Sequence, residues 1–287
     1  MKYLQTPAAL TQSPTKYGIL SVKDFLAIAS YEHTSQSQGG MLLEEHLLLF
    51  VLEGTNTLMH GKQKQVVQKN QMILLPKATA WKYHKVGDPN NNNVYDSMLF
   101  FLKDDFVKDF IKGYPIKALR TKEPVLTTVK PVKEHLQAYL HSIKPYFKEP
   151  TDRIDSGLVR LKMMELLYDL ALTDENMLRQ ILQLKQSVKA DLESIIEENY
   201  TDHLSMPELA YLSGRSLSTF KRDFASIYNT PPSQWIRTKR LEKAKELLSN
   251  TSLGVADVCY MVGFENATHF SRIFKKTFGY APSRNER

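Results

Sequence analysis

Two stretches of the chain carry hydrogen-bonding and cationic side chains at matched positions. "GRSLSTFKRDFASIYNTPPS" (residues 214–233) returns as "FENATHFSRIFKKTFGYAPS" (residues 264–283) at an offset of 50. Phe220 falls on Phe270, Arg222 on Arg272, Phe224 on Phe274, Pro232 on Pro282 and Ser233 on Ser283. Phenylalanines four residues apart share one helical face, and the spacing places Leu217, Phe220, Phe224 and Ile227 inward in the first copy, Phe270, Phe274 and Phe278 in the second. The other face then shows Ser218, Thr219, Lys221, Arg222 and Ala225, and in the second copy Thr268, Ser271, Arg272 and Lys275. Arg222 and Arg272 have the fork geometry that pairs with guanine O6 and N7. Lys275 and Lys276 suit phosphate, which adds affinity without reading sequence.

The elements around these faces are punctuated by helix caps. "SMPE" (residues 205–208) has the form of a capping box, with Ser205 and Glu208 exchanging hydrogen bonds and Pro207 where no amide is needed. The helix "PELAYLSG" stops at Gly214, and Ser216 can cap the next. Two short helices around a glycine turn, the second with a basic outer face, form a helix-turn-helix. "GVADVCYMVGF" (residues 254–264) repeats the first helix and turn with Asp257 in the place of Glu208, and Asn266 caps the last helix. Cys259 takes the place of Ala210, so we expect it buried and inert. Between the copies, "PPSQWIRTKRLEKAKELLSN" (residues 231–250) reads as one connecting helix. About 18 helical residues span roughly 27 Å, which suits two recognition helices in successive major grooves about 34 Å apart.

These two units, the connector "RTKRLEKAKELL" and the ending "VADVCYMVGFENATHFSRIFKKTFGYAPSRNER" resemble the DNA-binding domain of the AraC/XylS family of bacterial transcription regulators. The resemblance covers residues 188–287 and combines two motifs, their order, their spacing and an "FKKxFGxxPSxxR"-type close. It implies base contacts from Ser218, Thr219, Lys221 and Arg222 and from Ala267, Thr268, Ser271 and Arg272, with His269 beside the second face. Ala267 offers only an apolar contact, to a thymine methyl for instance. Arg237 and Arg240 match a family motif on the connector, and structural and DNA-facing roles both stay open for them.

The charge distribution agrees with a polyanionic partner. From residue 201 onward 13 Lys and Arg oppose 8 Asp and Glu, whereas the first 200 residues hold 25 against 23. One cysteine excludes an internal disulfide and a multi-cysteine zinc site, and fits a reducing cytoplasm. The longest apolar run, "LLLFVL" (residues 47–52), is too short to span a bilayer, and the first residues lack a secretory apolar core. We therefore expect a cytoplasmic protein without a membrane partner.

The front of the chain has a different rhythm. Residues 45–86 break into short apolar runs separated by Glu53-Gly54, Gly61-Lys62 and Lys69-Asn70, which predicts a small antiparallel barrel or sandwich. After the polar loop "VGDPNNNN" comes one more strand, "VYDSMLFFL", and from about residue 104 the pattern turns helical. A short helix ends near Gly113, and residues 131–148 put Val132, Leu136, Tyr139, Leu140 and Ile143 on one face. Residues 155–172 present Leu158, Leu161, Leu167 and Leu170, and these helices either pack as core or pair with a second subunit.

Strand rhythm and the "VLEG" turn resemble the cupin-type barrel of many AraC/XylS regulators, which binds a small effector or dimerises. His46, His60 and His84 stand singly, without the His-x-His pair of metal-dependent cupins, so no metal and no cofactor are expected. "GTNTLMHGKQ" (residues 54–63) has six residues rather than four between its glycines and Gln63 in place of Ser or Thr, which argues against a P-loop. A nucleophile-elbow motif is missing, and so is a reactive cysteine near the front for a DNA-repair methyl acceptor.

The expected fold is α+β in two domains. A cupin-like sensor and dimerisation domain (residues 1–172) precedes a linker (173–187), which is helical in part on one reading, and an all-α domain of two helix-turn-helix units joined by a linker helix (188–287). The expected function is that of a sequence-specific regulator of transcription, an activator rather than an enzyme. Its partners would be double-stranded promoter DNA, RNA polymerase, a small-molecule effector and a second copy of the chain. Control by a regulatory protein instead of a ligand is the main alternative. A cupin-type enzyme with a DNA-binding tail and an architectural DNA-packaging protein are more remote.

Overall fold

The protein, seen in a computed structural model, is described over residues 3–11, 17–61, 63–114, 127–148, 154–184 and 191–283. Lys62 of one expected turn, residues 185–187 of the expected linker, Val188 and the closing residues 284–287 lie outside them. Contacts divide the chain into two compact units, Leu4–Val188, and Lys189–Arg287 with Met1–Tyr3.

The strands are β1 (Tyr3–Thr6), β2 (Tyr17–Val22), β3 (Phe25–His33), β4 (Ser37–Leu43), β5 (His46–Glu53) and β6 (Thr55–His60). They continue with β7 (Gln63–Gln68), β8 (Gln71–Leu75), β9 (Ala80–Val86), β10 (Tyr95–Leu102) and the two-residue β11 (Lys130–Pro131). One sheet has the order β1-β4-β9-β6-β7 and the other β11-β8-β5-β10-β3-β2. A short helix α1 (Ala8–Thr11), which no sequence signal announced, follows β1.

The second sheet is covered on both sides, and this explains its composition. Residues of a strand alternate between faces. On β10, Tyr95, Leu99 and Phe101 pack toward the core shared with the first sheet. Met98, Phe100 and Leu102 pack with the helices. Every residue of β10 is buried, and β5 alternates likewise, with Leu47, Leu49 and Val51 in one core and Leu48 and Phe50 in the other. The run "LLLFVL" is thus a central strand whose two faces are both dry.

The helical layer comprises α2 (Asp104–Gly113), α3 (Glu134–Ile143), α4 (Ser156–Thr173) and α5 (Glu175–Gln183), with a 3-10 turn at Lys144–Lys148. Val132 and the four apolar residues of α3 are buried as their spacing predicts. Two expectations need correction. On α4 the buried face is Val159, Met163, Leu166, Leu167, Leu170 and Ala171, whereas Leu161 is 67% exposed and Leu158 half-buried. Leucines are abundant enough there to draw two stripes, and the sheet selects one. The expected linker at 173–187 is not a linker in its first part. Asp174 ends α4 and caps α5, its carboxylate accepting from the amides of Asn176 and Met177, and α5 buries Met177, Leu178 and Ile181 in the helical core.

The second unit contains α6 (Leu192–Asn199), α7 (Met206–Leu212), α8 (Leu217–Tyr228), α9 (Pro232–Asn250), α10 (Val255–Met261) and α11 (Ala267–Phe278). Helices α7 and α10 are both seven residues long and offset by 49, while α8 and α11 are twelve long and offset by 50.

The place of α5 in the core has a measurable consequence. Ile181→Ala should destabilise the first unit by about 2–4 kcal/mol in denaturant unfolding of the full chain. A change within about 0.5 kcal/mol would instead mark residues 175–183 as a surface linker.

Candidate nucleic-acid interface

The first helix of each unit ends in the same backbone motif. In the first, the Arg215 amide donates to Ala210 O at 3.0 Å and the Gly214 amide to Tyr211 O at 2.9 Å. In the second, Phe264 donates to Cys259 O at 3.0 Å and Gly263 to Tyr260 O at 3.1 Å. This 6→1 and 5→2 pair is the Schellman arrangement, which needs a left-handed residue at its bend. Gly214 and Gly263 supply it, with φ of +66° and +91°.

The caps of the second helices follow. Ser216 accepts from the Thr219 amide, and Asn266 from the His269 amide. One turn has only Arg215 between its glycine and its cap, and the other has Phe264 and Glu265. The change of offset from 49 to 50 arises there. At the start of α7 the expected capping box is present, with Ser205 N–H donating to Glu208 Oε2 at 2.7 Å and Glu208 N–H to Ser205 Oγ at 3.4 Å. The second unit has Gly254 at that position and no side-chain cap, so Asp257 closes no box.

These caps orient the two outward faces. Ser218, Lys221 and Arg222 are exposed on α8, and Thr268, His269, Arg272, Lys275 and Lys276 on α11. Thr219 is half-buried, its Oγ1 accepting from Ser216 Oγ at 2.9 Å, and Ser271 is half-buried as well. Ala267 packs against the core of the second unit rather than standing on the open face. Arg222 lies beside Asp223 at 3.4 Å with its side chain 76% exposed, and Arg272 is 3.3 Å from His269 Nδ1. The inward set also needs correction. Phe220 and Phe224 are buried, but Leu217 and Ile227 are 36% and 44% exposed. Cys259 is fully buried, as expected, and burial pushes its thiol pKa up.

Arg240 on α9 is half-buried and turned inward. Its Nε donates to Tyr200 O at 2.6 Å, Nη2 to Asp202 O at 2.6 Å and Nη1 to Gly263 O at 2.7 Å. The first two carbonyls belong to the link between α6 and α7, and the third to the second turn. One planar fork therefore joins the entry of the first helix-turn-helix to the bend of the second. Burial lowers the Arg240 pKa from its ordinary value, against the opposing pull of Asp202 and Glu265. A Cβ on Gly263 would meet Thr201 O at 2.6 Å and Arg240 Cζ at 2.8 Å. Glycine is thus required there for space as well as for φ. Arg237, by contrast, is exposed.

In the first unit, His46, His60 and His84 do not converge. His46 is buried on β5, accepts from the Lys77 amide at 3.0 Å, and is held neutral by burial, with its pKa lowered to about 4. His60 bonds Ala80 O at 2.8 Å and tilts over Trp81, while His84 bonds Gln36. Among the described residues no group of three His, Cys, Asp or Glu could hold a metal ion, and no helix is long and apolar enough to cross a membrane.

Arg240→Lys should lower the stability of the second unit by about 2–4 kcal/mol in urea unfolding, because one ammonium cannot replace three charge-assisted bonds. Unchanged stability would return Arg240 to the surface.

Comparison with known proteins bears on both units. Residues 209–287 match the family model "Helix-turn-helix domain", and residues 46–181 match "ExsA N-terminal regulatory domain". The chain is 30% identical over 130 residues to the virulence regulon transcriptional activator VirF of Yersinia enterocolitica, covering 45% of this chain and 48% of that protein. It is also 30% identical over 130 residues to the HTH-type transcriptional regulator ExsA of Pseudomonas aeruginosa, covering 45% and 47%. These matches span about half the length of those relatives. Among solved structures, ToxT from Vibrio cholerae O395 aligns over 89% of this chain and 95% of its own, with 10% identity and a TM-score of 0.37. The DNA-binding domain of AdpA in complex with a target DNA aligns over 32% of this chain and 86% of its own, with 26% identity and a TM-score of 0.31. With one family model on each unit and relatives among the named regulators, the chain belongs to the AraC/XylS family of transcription regulators.

Proposed function

We propose that the protein is a sequence-specific DNA-binding regulator of transcription, acting as an activator at promoters. The observation that carries this reading is the pair of matched outward faces on α8 and α11, held in one unit by α9 and Arg240. The 19 residues of α9 correspond to about 28 Å of helix, close to the 34 Å between successive major grooves. Arg222 and Arg272 would read guanine, displacing Asp223 and His269 from their guanidinium groups. Ser218, Lys221 and Thr268 would contact neighbouring base edges, with Thr219, His269 and Ser271 at the margin. Lys275 and Lys276, in the last turn of α11, would meet phosphate. Ala267 contributes to helix packing first and to a base contact only through its methyl.

The first unit would carry the signal to this reader, by a small effector, a protein partner or self-association. The name of VirF, a transcriptional activator, supports an activating role, which would be exerted through RNA polymerase. Leu161 and Leu172, eleven residues apart on one side of α4 and 67% and 75% exposed, support a homodimer or protein contact there.

The test is selection of genomic fragments by the full-length protein, followed by affinity measurement on the selected duplex. Arg222→Ala and Arg272→Ala should each remove about 1–3 kcal/mol of discrimination at one base position with the thermal unfolding unchanged. Failure to select any sequence, or variants indistinguishable from the parent, would overturn the recognition faces.

Lys275→Ala should weaken binding to all sequences alike and reduce the slope of log affinity against log salt by about 1. A loss confined to one base position would make Lys275 a reader of sequence.

A further inference from the structure

His269 is the third residue of α11, and its amide donates to Asn266 Oδ1 at 2.8 Å. Its side chain is exposed, and Nδ1 lies 3.3 Å from Nη2 of Arg272, one turn further along the helix. A guanidinium has donors and no acceptor, so in this contact the imidazole accepts. Nδ1 therefore carries no proton in the free protein, and the ring hydrogen sits on Nε2. Among the described residues no carboxylate bonds this ring, and the nearby Glu265 instead pulls on Arg240 and His203. Thr219 holds the matching place on α8, where its hydroxyl accepts from Ser216. That side chain has no proton to gain.

Reading guanine with Arg272 changes both sides of the contact. The guanidinium turns to the base edge, and Nδ1 loses its donor. The bare nitrogen can then accept from water, or take a proton from solvent and become a donor itself. Phosphates hold the surface of a duplex at a negative potential, which favours the second course. The first residues of a recognition helix enter the major groove, where base edges and flanking phosphates both offer acceptors. Histidine is the side chain whose charge changes between pH 5 and 8, so the exchange falls within ordinary conditions.

We propose that DNA binding moves Arg272 from His269 to guanine and protonates His269 in exchange, so that the imidazolium becomes an added cation of the interface. One proton from solvent enters at Nδ1, and the charged ring donates to an acceptor of the duplex. The complex holds more protons than its separate parts, so affinity rises as pH falls from 8 to 6. This inference rests on the regulator reading above and deepens it, because the coupling belongs to the second outward face and not to the first.

The test uses the full-length chain and a duplex that it selects from genomic fragments. Calorimetric titration in buffers of different ionisation enthalpy should show roughly 0.3–1 proton taken up per complex near pH 7, and affinity should be about fivefold higher at pH 6 than at pH 8. His269→Gln has no ring to charge, and His269→Asn keeps an acceptor for Arg272 without one. Both should lose the uptake and bind equally at the two pH values. In the wild-type protein labelled at the histidine nitrogens, the His269 ring should be in its Nε2–H form alone and doubly protonated on the duplex, a readout that needs no variant to fold. Base-pair replacements along the site then identify the acceptor. Uptake lost with one base pair marks a base edge, and uptake indifferent to all of them marks a phosphate. A complex formed without uptake, uptake undiminished in His269→Gln, or a free ring with its hydrogen on Nδ1 would overturn the exchange and leave the regulator standing. Failure to select any duplex would remove the regulator and the exchange together.

Discussion

Three carbonyl oxygens share the guanidinium of Arg240, and the orientation of the second unit's outward faces depends on that arrangement. A buried carbonyl without a donor is costly, and those of Tyr200, Asp202 and Gly263 come from segments that no helix ladder connects. Without the fork, α9 would join the two helix-turn-helix units by apolar packing alone, Trp235 against Phe224 and Tyr228 in the first and Leu241, Ala244 and Leu248 in the core of the second. With it, the approach to α7 and the bend after α10 are fixed to the same atom group, and α8 and α11 inherit a common frame. An ammonium offers the charge without the planar set of donors, so arginine is required here for its shape.

The two copies share a plan but differ in how the turn is stabilised. The first turn is clipped by charge, with Arg215 bonded to Asp223 at 3.1 Å and to Ser213 O at 2.8 Å. The second places Phe264 at that point, against Phe270 with ring centres 5.2 Å apart. One turn is thus exposed to salt and the other is not. The outward faces differ as well, since Lys221 is replaced by Ser271 and Thr219 by His269 at the offset of 50. A pair of unlike outward faces on one connector has a direction, and the function proposed above therefore implies an asymmetric DNA site.

The legible parts of this chain are those in which a side chain serves its own neighbourhood. Ser205, Glu208, Gly214, Ser216 and Asn266 act on amides or dihedrals within a few residues, so their types and spacing carry the whole reason for their presence. The face of α4 was not legible, because its leucines support two stripes and only the sheet chooses between them. Helix α5 was read as part of a linker, helical in part on one reading, for want of one cap. Asp174 follows Thr173 directly and precedes Glu175, a cap signal that could have separated α5 from a linker. Lys85 lies over the rings of Tyr31, Tyr83 and Tyr95, drawn from β3, β9 and β10, and nothing local to any of them marks that cluster. Arg240 stayed ambiguous for the same reason, since its acceptors lie 23 to 40 residues away in sequence.

Strand β10 has a consequence for how such a protein diversifies. Tyr95, Leu99 and Phe101 pack in the core between the sheets, while Met98 and Phe100 press on the helices from the opposite side of the same sheet. Adjacent codons therefore answer to different masters. Substitutions at the odd positions can reshape the core between the sheets while the helical layer keeps its packing, and substitutions at the even positions can reshape the helical layer while the core between the sheets keeps its own. A lineage can repack the core between the sheets and the helical layer by separate, single steps along eight residues of one strand.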